Sequence, residues 1–80
     1  MAVNAYVLIE AEPGRVKEMV SEISKIKGVK NACGVTGPYD IIVRLETKDI
    51  DALGTLITKK FQTLSGVRKT MTCLCTFCSD

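Results

Sequence analysis

Two stretches of this 80-residue sequence carry residues able to do chemistry. The first is Thr36-Gly37-Pro38-Tyr39-Asp40, in the run VTGPYDIIVRLE. Gly37 can take backbone angles that other residues avoid, and Pro38 fixes φ and donates no hydrogen bond. Asp40 adds a carboxylate at the start of the apolar run that follows. The second stretch lies near the C-terminus, where Cys73, Cys75 and Cys78 read C-x-C-x-x-C and Cys33 stands far upstream. Thiols so spaced could suggest a soft metal, but a closed zinc site needs four ligands. The chain has no His and no second C-x-x-C, so Cys33 would have to complete the set. Strand parity places Cys73 and Cys75 with Val67 and Met71, which reads more simply as small buried hydrophobes. Cys78 is expected to be exposed and able to form an intermolecular disulfide. The lack of His also removes the usual general base and the Ser–His and Cys–His pairs. We assign no catalytic residue, and expect neither a metal nor a cofactor.

The totals narrow the function further. A chain of this length makes a single domain, here residues 1–80, and buries only about 60% of its unfolded surface, which favours association with further copies. Eleven basic against nine acidic residues leave a formal charge of +2, spread along the chain. Direct DNA binding is not expected, because it needs Lys and Arg gathered on one face. The basic residues Arg44, Arg68 and Lys69 read as solvated surface charge. The apolar runs are far too short to span a bilayer, and MAVNAYVLIEAE lacks the basic start of a signal peptide. A cytoplasmic protein with no membrane partner is the expectation.

The elements that must position these residues follow from periodicity. Val3 to Ala11 reads as a strand, with Val3, Ala5, Val7 and Ile9 apolar on one face and Asn4, Tyr6, Leu8 and Glu10 on the other. Pro13 suits a helix's first position. Val16, Met19, Val20, Ile23 and Ile26 then form one apolar stripe, closed by Gly28 as a left-handed cap. Val29 to Thr36 alternates as a strand with Val29, Cys33 and Val35 on one side. The Gly-Pro turn leads into Ile41 to Glu46, whose core side is Ile41, Val43 and Leu45. Asp49 caps a second helix striped by Ile50, Leu53, Ile57 and Leu64 and broadened by Leu56 and Phe61. Gly54 inside it is unfavourable by about 1 kcal/mol relative to Ala unless close packing needs it. Ser65-Gly66 ends that helix, Val67 to Phe77 makes a last strand, and Cys78-Ser79-Asp80 is a short tail. The halves echo each other, IKGVKNACGV after the first helix and LSGVRKTMTC after the second. A duplicated βαβ unit predicts an α+β, ferredoxin-like βαββαβ fold, a four-stranded antiparallel sheet with both helices on one face. The other face keeps Tyr6, Leu8, Ile42 and Leu74, too apolar to stay wet, and predicts a second copy packed sheet to sheet.

With turn and topology in place, nearly the whole chain resembles the effector-binding domain, or RAM domain, of the Lrp/AsnC family of transcriptional regulators. The resemblance rests on AYVLIEAEPG, on IKGVKNACGVTGPYDIIVRLE and on GVRKTMT, in that order. Family regulators carry a helix-turn-helix domain first, so the chain resembles a stand-alone member. The resemblance implies a non-enzymatic module that binds a small effector, an amino acid, and acts as a sensor for or partner of full-length regulators. It implies a homodimer through the sheets and a higher assembly, such as an octamer. By position, it places the ligand at Gly37, Pro38, Tyr39 and Asp40, with Thr70 and Thr72 contributed by a neighbouring dimer. The chemistry is reasonable: an amino acid's carboxylate needs N–H or hydroxyl donors, and its ammonium needs an acceptor such as Asp40.

Other readings stay open. The turn can be an ordinary hairpin with a solvated Asp, and the threonines can be β-favouring residues on an outer face. A structural oligomer without ligand is one alternative. A small ferredoxin-like enzyme is another, but AEPGRVKE is not the arginine-bearing anion loop that an acylphosphatase-like protein needs. A copper chaperone would need C-x-x-C in that loop, and an RNA-binding sheet would need more exposed aromatics than Tyr6 and Tyr39.

Overall fold

Strand β1, Val3–Ala11, is the middle of the molecule, and its odd residues Ala5, Val7, Ile9 and Ala11 are buried. The structure is a computed structural model describing residues 2–79, so Met1 and the Asp80 of the tail lie outside the described residues. After β1 come α1 (Val16–Ser24), β2 (Val29–Gly34), β3 (Ile41–Thr47), α2 (Ile50–Leu56) with a π-helical turn at Ile57–Phe61, and β4 (Val67–Leu74). The strands lie in the order β2-β3-β1-β4, every neighbouring pair antiparallel. Ile41, Val43 and Leu45 of β3 are buried on the same side as the odd residues of β1. Met19 and Ile23 of α1, Leu53 of α2 and Phe61 complete that core, so both helices cover one face. Each such side chain removed from water is worth about 1.5–3 kcal/mol, which makes this layer the source of the stability. The ferredoxin-like βαββαβ expectation therefore holds.

The element ends differ in instructive ways. Pro13 and Gly14 form a turn ahead of α1, which starts at Val16 with Arg15 as N-cap and no side-chain cap. Gly14 there has φ of +82°, outside any helix. Gly28 comes after α1 has already ended at Ser24, and its φ of +100° serves the turn into β2. Asp49 does cap α2: its Oδ1 accepts from the Ala52 N–H at 2.7 Å. Ile50, expected in the core stripe, is 56% exposed at the helix start.

The second helix is not α-helical throughout. The Gln62 N–H reaches back to the Ile57 carbonyl at 2.9 Å, an i to i+5 bond. Leu53 and Phe61 are both core residues eight positions apart, whereas two α turns take about 7.2 residues. One wider turn absorbs the surplus and brings Phe61 back over the sheet.

Two β-bulges set which side chains face where. In β2 the register shifts between Val29 and Asn31, so Val29 pairs with Leu45 but Cys33 pairs with Ile42. Cys33 is thereby exposed on the face away from the helices, not beside Val29 as alternation implies. Gly34 turns toward α1, where a Cβ would stand 3.0 Å from Val16 Cγ1. In β4 the register against β1 shifts between Glu10 and Ala11, which face Lys69 and Val67. Arg68 is the extra residue, and beyond it every side chain changes face relative to Val67. Thr70, Thr72 and Leu74 pair with Ile9, Val7 and Ala5, on the helix side, while Met71 and Cys73 pair with Leu8 and Tyr6 on the free side. Leu74 therefore does not belong to the free sheet face, and Cys73 is an exposed thiol, not a buried one. The strand stops at Leu74, leaving Phe77 97% exposed. Cys78 is paired with Cys75 of its own chain.

Candidate functional site

The hairpin turn between β2 and β3 is held by Asp40. The Asp40 N–H donates to the Ile9 carbonyl at 2.9 Å, and the Val35 N–H donates to the Asp40 carbonyl at 2.8 Å. The Asp40 Oδ2 accepts from the Ala11 N–H at 2.8 Å. This last bond has a structural reason. Ala11 sits at the bulge against β4 and is buried, so its N–H would be left unsatisfied inside the protein without the carboxylate. Asp40 is therefore half-buried and joins the hairpin to β1, unlike a solvated turn residue.

The rest of the turn is open. Gly37 has φ of +136°, and nothing lies within 4 Å of where its Cβ would be. Pro38 is exposed beside it. Tyr39 is half-buried and extends toward β4, its hydroxyl 3.7 Å from Met71 Sδ. The turn thus overhangs the free sheet face at the β4 side. Thr70 and Thr72 are not brought to it within one chain, because they face the helices. Thr72 borders a shallow groove with Ile50, Leu53, Ile57 and Leu74.

The free face itself is apolar along its middle. Tyr6 is 42% and Met71 43% exposed; half-buried Leu8 lies in register between half-buried Ile42 and Met71, and Tyr6 follows on the same strand between Arg44 and Cys73. Cys73 and Cys33 extend the patch to either side. Met71 and Cys73 escaped the sequence reading because strand parity was carried across the bulge from Val67. The pairing of the Ala11 N–H with Asp40 left no mark in the sequence, since the two residues are 29 positions apart.

Among the described residues, no cluster of His, Cys, Asp or Glu is arranged to hold a metal. Among them also, no helix is long and apolar enough to cross a membrane.

A βαββαβ sheet with an overhanging glycine turn is compatible with many functions, and comparison with known proteins defines the class. The family model described as the Lrp/AsnC ligand binding domain matches residues 4–76, and the chain belongs to that family. It is 33% identical over 72 residues to an uncharacterised HTH-type transcriptional regulator of Pyrococcus horikoshii, covering 90% of this chain and 46% of that protein. The chain therefore spans about half the length of that curated relative. A solved structure from Thermus thermophilus is similar with a TM-score of 0.89 and 31% identity, over 98% of both chains. A transcriptional regulator of Neisseria meningitidis, solved as a complex with L-Met, shares the fold with a TM-score of 0.82 at 15% identity, over 91% of this chain and 49% of that one. These relations make the domain a regulatory effector-binding module of the Lrp/AsnC type.

Proposed function

We propose that the chain binds a free amino acid at the Gly37-Pro38-Tyr39-Asp40 turn, at a contact between subunits of a homo-oligomer, and modulates full-length Lrp/AsnC regulators. The observation that carries this reading is the turn's construction. A rigid hairpin end, fixed by Asp40, presents the exposed Gly37 backbone beside a carboxylate. Oδ2 is engaged by Ala11, so a ligand ammonium meets the carboxylate through its other oxygen. The ligand's own carboxylate takes donors from the turn and from Thr70 or Thr72 of a neighbouring dimer. The L-Met complex of the Neisseria regulator supports an amino acid as the effector class.

The free sheet face supports the oligomer. Tyr6, Leu8, Ile42, Met71 and Cys73 make a continuous apolar strip that pairs most simply with a second copy, and dimers stacked further build a ring such as an octamer.

One observation favours a second reading, a structural oligomer whose turn binds nothing: the Asp40 carboxylate already has a partner in Ala11. A thermal-shift screen against the twenty amino acids separates the two. The binding reading predicts that one or a few related amino acids raise Tm in a saturable way. No shift with any of them would leave the structural reading.

A further inference from the structure

We propose a second ligand site, for a phosphorylated small molecule of nucleotide size, in the cleft between the start of β2, the end of β3 and the second helix. The cleft has a volume of about 590 Å³, within the range of small-molecule sites. Four lysines line it, Lys27, Lys48, Lys59 and Lys60, and Glu46 borders it at the end of β3, where the register pairs it with Asn4 on the sheet face away from the helices. The chain as a whole carries nearly balanced charge, so this gathering of cations is local. The acidic residue at the head of α2, Asp49, is held by the helix cap. Asp51 lies on the neighbouring groove with Lys59.

The cleft is also shaped by the two irregularities near it. Gly28, at φ of +100°, accepts through its carbonyl from the Glu46 N–H at 2.8 Å and lies so close to β3 that a Cβ would stand 3.3 Å from the Glu46 carbonyl oxygen. This pins Lys27 against the end of β3. Lys59 and Lys60 lie in the π-helical turn, a rare geometry found frequently at functional sites. Between the two, Ala52 and Leu56 give an apolar floor and Thr55 a hydroxyl. Lysine ammonium groups bind phosphate as point charges. The arrangement fits a ligand with a phosphate chain at the lysines and a flat apolar body on Leu56.

This cleft is at the other end of β3 from the Asp40 turn, roughly 20 Å away at about 3.3 Å per strand residue. It is independent of the amino-acid reading, and either can fail alone.

The test is a titration of the full 80-residue protein with ATP, pyrophosphate and adenosine, followed by backbone amide NMR. ATP and pyrophosphate should shift the amides of Gly28, Thr55, Lys59 and Lys60 to saturation, and adenosine should shift them far less. The double variant Lys59→Gln/Lys60→Gln should weaken ATP at least tenfold, about 1.4 kcal/mol, while Lys30→Gln outside the cleft changes it less than twofold. The substituted side chains lie at the surface, and an unchanged amide spectrum checks that each variant is folded. Lys27→Gln serves in place of any variant that is not. Shifts scattered over Lys17, Lys30 and Lys69 without saturation would overturn the proposal. So would an equal loss of affinity from Lys30→Gln.

Discussion

The Asp40 carboxylate accepts a 2.8 Å hydrogen bond from the Ala11 N–H, joining the β2–β3 hairpin to the bulged end of β1. Two features from separate parts of the chain explain each other here. The bulge frees a buried N–H, and the residue after the Gly-Pro turn supplies its acceptor. The same bond holds the candidate binding turn in a fixed position over the sheet.

Asp40 should therefore matter to stability. Asp40→Ala leaves a buried donor without a partner and should lower unfolding stability by about 1–3 kcal/mol. Asp40→Asn keeps an acceptor oxygen and should lose much less. Urea denaturation of the two variants against wild type reads the difference, and equal midpoints for all three would show that the bond contributes nothing.

The face assignment made by the β4 bulge is tested by charge. With the free face as the proposed subunit contact, Met71→Glu puts an anion into its middle and should leave only monomer in light scattering. Leu74→Gln, on the helix side, should leave the association state unchanged. The opposite pattern would mean that β4 does not shift register at Glu10 and Ala11.

Gly34 is held by space. An added Cβ would stand 3.0 Å from Val16 Cγ1 at the start of α1. Gly34→Val brings two further carbons into that contact and should destabilise the fold by about 1–3 kcal/mol through overpacking. Thermal unfolding would show it, since about 1 kcal/mol moves Tm by roughly 4–8 °C in a domain of this size.

Gly54 behaves oppositely. Nothing within 4 Å would meet its Cβ, so close packing within the chain does not require it. Gly54→Ala should stabilise α2 by up to about 1 kcal/mol. A loss of stability together with dissociation of the oligomer would place Gly54 at a subunit contact.

Most of the architecture was legible in the chain. The periods of β1 and α1, the Asp49 cap and the Gly37-Pro38 turn each depend on residues close in sequence, and local chemistry decides them. What failed was long-range. Alternation placed Cys33 beside Val29, and Leu74 on the free face with Cys73 buried. One bulge in each edge strand reverses those faces, and a bulge is defined by register against a partner strand. The π-helical turn at Ile57–Phe61 is likewise a response to where the sheet needs Phe61. For the site, the turn was visible as Gly, Pro and a carboxylate, but the engagement of Asp40 with Ala11 was not. Thr70 and Thr72 were found as a pair on one strand face, and only the register shows that this face looks toward the helices.

The central claim is that the Asp40 turn binds an amino acid. Calorimetric titration of wild type and Asp40→Asn tests it most directly, using the amino acid that gives the largest thermal shift. The variant keeps an acceptor for Ala11 but loses the negative charge that faces the ligand's ammonium. With both proteins in the same oligomeric state and of similar stability, the account predicts that the affinity of Asp40→Asn falls at least tenfold, the loss of about 1.4 kcal/mol or more expected when a partly buried charge loses its partner. Equal affinities, or no heat of binding from wild type with any amino acid, would contradict it.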